Sequence, residues 1–264
     1  MASPTSRPAA PSEIADLARS ASRVVVLTGA GMSAESGLPT FREAQQGLWA
    51  KYDPMTLASP EAFRAEPDLV WAWYAWRREM IQLALPNAGH FALVRWAELT
   101  SVEIVTQNVD DLHERAGSDV LAHLHGSIGA LRCFDCDRPF TDRIDWPSGQ
   151  VERLPPPRCP ECDGAIRPGI VWFDEPLPSD DLSRAEAASL AADLMLVVGT
   201  SGLVYPAAGL PVTARYSGVP VVEINPVETS LSEHLTHRWR VTAAEGLSAL
   251  VDAVSNESVT GAGS

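Results

Sequence analysis

The segment Arg23-Val-Val-Val-Leu-Thr28 narrows the choice of fold more than any other stretch of the chain. Its short, β-branched, apolar run suits a strand buried on both faces, which is the habit of parallel sheets covered by helices. It runs into Gly29-Ala30-Gly31, where a tight turn can hand the chain to a helix. Comparable runs stand at Val102 to Thr106, Leu194 to Val198 and Val219 to Ile224. Between them lie stretches of helical spacing, such as His90 to Leu99 and Asp181 to Ala192, and Ser12 is placed to cap an earlier helix from Glu13. Strands alternating with helices predict an α/β fold, a parallel sheet with helices on both faces.

Two stretches interrupt that rhythm. Phe41 to Leu85 has no good strand and carries Trp49, Trp71, Trp73 and Trp76, so it reads as a helical insertion. Leu131 to Arg167 holds all 4 cysteines and the Leu154-Pro-Pro-Pro-Arg158 run, so it reads as a loop-rich metal module. Composition permits a substantial core, with 45% hydrophobic and 20% charged residues. The net charge of −14 argues against direct nucleic-acid binding and favours basic peptides as partners. No apolar run approaches the ~20 residues of a membrane span, and Met1 to Ser12 lacks the apolar centre of a secretory signal. So few cysteines fit reduced thiols in the cytoplasm better than a disulfide scaffold.

Cys133-Phe-Asp-Cys136 and Cys159-Pro-Glu-Cys162 are two CxxC pairs separated by 22 residues. Each pair can present two thiolates to one ion, and two pairs complete a tetrahedron about zinc. Such a closed four-thiolate site is structural. Disulfides or unligated thiols are the competing readings.

Gly29-Ala-Gly-Met-Ser-Ala34 fits GxGxxA after a strand, where glycines let backbone approach a pyrophosphate and a helix N-terminus offers unpaired N–H groups. A simple strand-to-helix turn favours glycine equally. Against an ordinary dehydrogenase, the next convincing strand waits until Val102 and ends in Gln107-Asn108, with no carboxylate for a ribose. Thr106-Gln-Asn-Val-Asp110, His123-Leu-His125-Gly126, Gly199-Thr-Ser201 and Glu223-Ile-Asn225 all follow apolar runs, where open α/β sheets bind ligands. His125 could act there as a general base, or be a hydrogen-bonded bystander.

In this order, Gly29-Ala-Gly-Met-Ser-Ala-Glu-Ser-Gly-Leu-Pro-Thr-Phe-Arg42, Thr106-Gln-Asn-Val-Asp110, His125-Gly126, the two CxxC pairs, Val171-Trp-Phe173, Gly199-Thr-Ser201 and Ile224-Asn225 resemble the sirtuins, NAD-dependent protein lysine deacylases. The resemblance runs from about Val24 to Leu247. It implies a Rossmann-like NAD-binding domain from residues 13–42, 87–130 and 168–254. The helical insertion, 43–86, and the zinc-binding module, 131–167, would form a small domain, leaving 1–12 and 255–264 as tails. It also implies that Gly29, Ala30, Ser33, Glu35, Phe41 and Arg42 line the NAD site. Gln107, Asn108 and Asp110 would surround the nicotinamide end, and Gly199, Thr200, Ser201, Asn225 and Ala243 the adenosine half. His125 would be the catalytic base, with Asn108 beside it.

By the same resemblance, the acyl oxygen attacks the ribose carbon that bears nicotinamide. Nicotinamide leaves neutral as that bond forms, neutral His125 takes a ribose hydroxyl proton so that the hydroxyl attacks the imidate carbon, and water completes the release of lysine and 2′-O-acyl-ADP-ribose. Activity should therefore fall below roughly pH 6.5. The acyl-peptide would add as a strand between Val171-Trp172-Phe173-Asp174-Glu175 and Gly202-Leu-Val204-Tyr205. Two positions depart from the family, which often has His where Gly169 stands and Gly where Asp174 stands.

In Trp71-Ala-Trp-Tyr-Ala-Trp-Arg-Arg-Glu79, Leu69, Trp73, Trp76, Met80 and Leu83 make a helical core stripe, and Tyr74 and Arg77 share a face. A hydroxyl beside a guanidinium suits a small carboxylate. Solvated arginines beside a helix tyrosine are the plainer reading, and Arg78 is spaced as well as Arg77. The pair is similar to the Tyr-x-x-Arg of class III sirtuins, which remove succinyl, malonyl and glutaryl groups, and Ala58 matches the alanine that widens their acyl pocket. Acyl-lysine proteins are then the partners. Oligomeric state is not written in the sequence, and a monomer is the working expectation. A nicotinamide-dependent oxidoreductase and a binding module without turnover are the alternatives.

Overall fold

The structure, a computed structural model, describes residues 8–39, 47–53 and 57–260. In chain order its main elements are α1 (Ser12–Ser20), β1 (Arg23–Thr28), α2 (Gly31–Ala34), a 3-10 turn (Gly47–Lys51), α3 (Pro60–Ala65), α4 (Pro67–Leu83) and α5 (Ala88–Ala97). There follow β2 (Ser101–Thr106), α6 (Leu112–Ala116), β3 (Val120–His123), β4 (Gly126–Cys133), β5 (Ile166–Ile170) and α7 (Ser179–Ala191). The chain continues through β6 (Leu194–Val198), α8 (Gly209–Tyr216), β7 (Val221–Ile224), β8 (His237–Trp239) and α9 (Ala243–Thr260).

Six strands form one sheet in the order β3-β2-β1-β6-β7-β8, and every neighbouring pair in it is parallel. The period of two along each strand divides the core into two layers. Val24 and Val26 of β1 and Leu194, Leu196 and Val198 of β6 face α1, α5 and α9. Val25, Leu27, Met195 and Val197 face α7 and α8. The chain therefore needs β-branched residues on both faces of its central strands, which is what the run at Arg23–Thr28 supplies.

The small domain has its own core. Trp49, Phe63, Trp73, Tyr74, Trp76 and Trp172 pack together. Trp71 turns the other way, towards Cys133, Cys159 and Ile166, and stacks on Trp146 with ring centroids 5.2 Å apart. Helix α4 is thus buried on nearly all sides rather than along one stripe, and the stripe ends early, because Leu83 is 77% exposed. Strands β4 and β5 pair antiparallel and carry the cysteine module.

Several boundaries differ from the sequence reading. Ser12 is already inside α1, and its side chain makes no cap, because the helix starts after Pro11. Strand β7 begins at Val221, since Pro220 has no N–H to give a ladder; its carbonyl accepts from Met195 N–H at 3.0 Å. No helix among the described residues is long and apolar enough to cross a membrane.

Candidate active site

Strand order reverses between β1 and β6, the place where open α/β sheets leave a crevice at their carboxyl ends. There the two strand-end loops touch. A Cβ on Gly29 would lie 2.7 Å from Thr200 Cβ, and one on Gly31 2.7 Å from Gly199 Cα. Gly199 itself has φ +61°, and a Cβ there would sit 2.5 Å from the Met32 nitrogen. These glycines are required by the fold before any ligand arrives. Gly199→Ala is expected to cost about 2 kcal/mol from strain and overlap, seen as a fall of roughly 5 °C in the thermal unfolding midpoint; an unchanged midpoint would refute the close approach.

The helix after the glycines corrects an expectation. It is a single turn, and its N–H groups are largely engaged: Gly31 donates to the Gly199 carbonyl at 2.8 Å, Met32 to Gly29 at 2.9 Å and Ser33 to Ala30 at 3.1 Å. A row of free N–H groups is therefore not what the turn presents.

Side chains from three strand ends interlock instead. Thr28 Oγ1 donates to Thr106 Oγ1 at 2.9 Å, which also accepts from Asn108 N–H at 3.0 Å. Asn108 Nδ2 donates to the Gly29 carbonyl at 3.1 Å and to Ser33 Oγ at 3.2 Å. Ser33 Oγ donates to Asp110 Oδ2 at 2.9 Å, and Leu112 N–H reaches Asp110 Oδ1 at 3.2 Å. Burial raises the Asp110 pKa, opposed by those two donors. Gln107 Nε2 donates to Thr200 Oγ1 at 3.1 Å, and Asn225 Nδ2 to the Thr200 carbonyl at 3.0 Å. Ser201 is exposed, and Ala30 half-buried, at the same strand ends. Glu35 Oε2 accepts from Ala244 N–H at 2.8 Å, tying the first loop to the start of α9 beside buried Ala243. Phe41 and Arg42 lie outside the described residues.

His125 follows β3 and is held at both ends. Its Nδ1 lies 2.9 Å from the Gln107 carbonyl, and its own carbonyl accepts from Val171 N–H at 2.9 Å. A carbonyl can only accept, so Nδ1 carries the proton and Nε2 keeps its lone pair. Burial lowers the His125 pKa, and the bond to Gln107 only partly opposes it. The ring is therefore neutral at pH 7. Gly126 turns the chain with φ +71°, against the Gly169 carbonyl. His123 differs: Glu114, 2.6 Å away, engages its Nε2 and raises its pKa, which favours the protonated ring that cannot take a proton.

Beyond His125 the chain passes Val171 to the acyl-side residues. Trp172 Nε1 donates to the Tyr74 hydroxyl at 2.9 Å. Tyr74 and Ala58 are buried in the same cluster, and Phe173 N–H donates to the Ala58 carbonyl at 3.0 Å. Arg77 lies 5.2 Å over the Trp73 ring, and its charge is felt by Tyr74 and responds to Asp110. Arg78 instead covers Trp146 at 4.4 Å and bonds Gln82. The two arginines, equal by spacing, are thereby separated. Glu175 turns inward: it accepts from Arg167 at 2.5 and 2.8 Å and from Trp172 N–H at 2.8 Å. Val204 is half-buried.

Both departures from the family pattern have local reasons. Asp174 bears φ +68°, a conformation that Asp tolerates better than most residues. A Cβ on Gly169 would lie 2.9 Å from Ala130 Cβ, so a histidine has no room there.

The four cysteine sulfurs gather within 4.8 Å of one another. Cys133 Sγ and Cys162 Sγ are 3.5 Å apart, and Cys136 Sγ and Cys159 Sγ 3.8 Å. Four ligands at about 2.3 Å around zinc stand about 3.8 Å from each other. The donor set fits structural zinc, and the cysteines form no disulfide.

The Sir2 family model matches residues 29–206, from the first glycine to just past the Gly199 loop. The chain belongs to the Sir2 family. Among sirtuins it is 50% identical over 238 residues to an NAD-dependent protein deacylase 2 of Corynebacterium efficiens, covering 89% of this chain and 94% of that one. A crystal structure of a Sir2 homolog–NAD complex superposes with TM-score 0.85 at 42% identity, covering 94% and 96% of the two chains. A substituted Sir2 homologue bound to 2′-O-acetyl ADP ribose gives TM-score 0.86 at 42% identity, covering 94% and 97%.

Sequence reasoning missed some residues that bond to those it singled out. Thr106 was read only as part of a strand end, although its hydroxyl joins Thr28 to Asn108. Arg167 closed the cysteine module without a role, and Ser230, which donates to the Ser201 and Gly202 carbonyls at 3.1 and 2.8 Å, carried no signal at all.

Proposed function

We propose that this Sir2-family chain, an NAD-dependent protein deacylase that yields acyl-ADP-ribose, accepts acidic acyl groups such as succinyl and malonyl besides acetyl. Gly29, Ala30, Ser33, Glu35, Gln107, Asn108, Asp110, Gly199, Thr200, Ser201, Asn225 and Ala243 hold NAD, whose ribose carbon supplies the electrophile. His125 Nε2 receives the ribose hydroxyl proton, and the Gln107 carbonyl keeps the ring in the tautomer that can do so. Asn108, pinned to Gly29 and Ser33, keeps its carbonyl side for the sugar and nicotinamide end. Val171, Phe173 and Val204 flank the acyl-lysine, with loose sequence preference because main-chain bonds do most of the holding. Hydride transfer and binding without turnover both fit less well, since neither has use for a neutral imidazole fixed in this way.

One observation supports the acyl preference above all. Buried Tyr74 and half-buried Arg77 sit beside each other on α4, on the side away from Arg78, with the small side chain of Ala58 in the same cluster as Tyr74. A carboxylate placed there meets a hydroxyl and a guanidinium in a site of low dielectric. The test is a paired assay on one peptide carrying acetyl-lysine or succinyl-lysine, with NAD. Arg77→Met should lower succinyl kcat/KM about 100-fold, for about 3 kcal/mol of lost charged hydrogen bonding, and the acetyl value far less. Equal losses would remove the acidic-acyl reading.

A further inference from the structure

The Tyr74 hydroxyl can donate one hydrogen bond and accept two. An indole N–H can only donate, so the 2.9 Å contact with Trp172 occupies the accepting side of that oxygen. Among the described residues this is the one hydrogen bond of the hydroxyl, in a side chain only 3% exposed. The charges that reach it are those of Arg77 and Arg167, which can only donate, and of Glu175, which Arg167 and the Trp172 main-chain N–H already engage. Asp110, the carboxylate whose charge reaches Arg77, accepts from Ser33 and Leu112. With its accepting side taken by the indole, the phenol O–H is left as a donor in a neighbourhood where Arg77 is a further donor.

Trp172 is itself held rigidly. Its main-chain N–H donates to Glu175, and the Arg167 guanidinium lies 3.4 Å from its ring centroid. Arg167, 3% exposed, grips Glu175 with both nitrogens and donates to the Ile170 carbonyl at 3.0 Å. Phe63 packs on the indole from 5.3 Å. Arg167 stands on β5 directly opposite Arg132, next to the Cys133–Ile166 pair. A continuous set of contacts therefore runs from the cysteine module through Arg167 and Trp172 to Tyr74.

We propose that Trp172 is a specificity-determining positioning residue: its indole N–H fixes the Tyr74 hydroxyl as a donor, ready for the terminal carboxylate of an acidic acyl group. The inference rests on the acidic-acyl reading given above. A neutral acetyl group has no such acceptor and gains nothing from the orientation.

The test compares Trp172→Phe, Tyr74→Phe and the double variant on acetyl- and succinyl-lysine versions of one peptide. Trp172→Phe should lower the succinyl-to-acetyl ratio of kcat/KM about tenfold, one oriented hydrogen bond's worth, mainly by raising the succinyl KM. The double variant should have the same ratio as Tyr74→Phe alone, since the indole acts only through that hydroxyl. A ratio within about twofold of the parent, or losses that multiply in the double variant, would overturn the proposal. A second measurement avoids any folding defect of Trp172→Phe. In Tyr74→Phe, the ¹⁵N-indole resonance of Trp172 should move from its position in the parent, and an unmoved resonance would equally overturn it. If Arg77→Met changes the ratio but Trp172→Phe does not, only this inference fails. If Arg77→Met leaves the ratio unchanged, the acidic-acyl reading fails and takes this one with it.

Discussion

His125→Ala should leave a folded protein that deacylates about 10³-fold more slowly, the usual contribution of a positioned general base. The fold should survive because the contact that joins His125 to Val171 uses the backbone carbonyl, which alanine keeps. Only the ring, its bond to Gln107 and the Nε2 lone pair are lost. The pH profile of the parent enzyme should carry the same signature. A base works when neutral, and burial lowers the His125 pKa below its ordinary 6.5. The acid limb should therefore be centred below pH 6.5, further into acid than the sequence alone suggested.

A second acid effect must be separated from this one. The tilted rings of His90 and His113 lie with centroids 4.8 Å apart, and burial pushes their pKa values down to about 4 and about 3. In the unfolded chain both take protons near pH 6.5; in the folded chain they do not until far lower. Stability is thus full above pH 6.5 and is lost as pH falls from there towards 4. Loss through His125 should reverse on mixing back to pH 7.5, whereas loss through the buried pair needs refolding. A rate in His125→Ala close to the parent's, or an acid limb centred above pH 6.5, would remove His125 from the chemistry.

The central strands were legible because burial on both faces demands β-branched residues, and β1 and β6 were read to the residue. Strand β8 was not, since His237-Arg-Trp239 is three residues at the sheet edge with alternating exposure. The glycine motif was legible as a motif and misread in part. Its N–H groups close onto Gly199 and onto their own turn, which no local pattern reveals because Gly199 is remote in sequence. The same distance hid the Thr28–Thr106–Asn108 link. Tyr74 and Arg77 could be paired from spacing, but the choice against Arg78 needed Trp146, which arrives from the cysteine module. Glu175 illustrates the converse. Its motif gives it only a place beside the substrate, and the structure adds a bond to Arg167, eight residues earlier on a strand that sequence did not predict.

Removing the zinc should have the largest structural effect of all. The segment between Cys133 and Ile166 forms no long helix or strand, and its buried core is only Trp71, Cys133, Cys159 and Ile166 with a few half-buried neighbours. A core that small does not hold a fold unaided. A four-thiolate zinc site contributes on the order of 10 kcal/mol, more than such a module could otherwise muster. Cys159→Ala, or chelation of the parent protein, should therefore free the Trp71–Trp146 stack and change tryptophan fluorescence. The sheet core, built from separate residues, should keep most far-ultraviolet circular dichroism. Activity should fall with the module, because β4 ends and β5 begins at the cysteine cluster, and the two strands carry Gly126, next to His125, and Arg167. Full deacylation by protein shown by metal analysis to hold no zinc would refute this dependence.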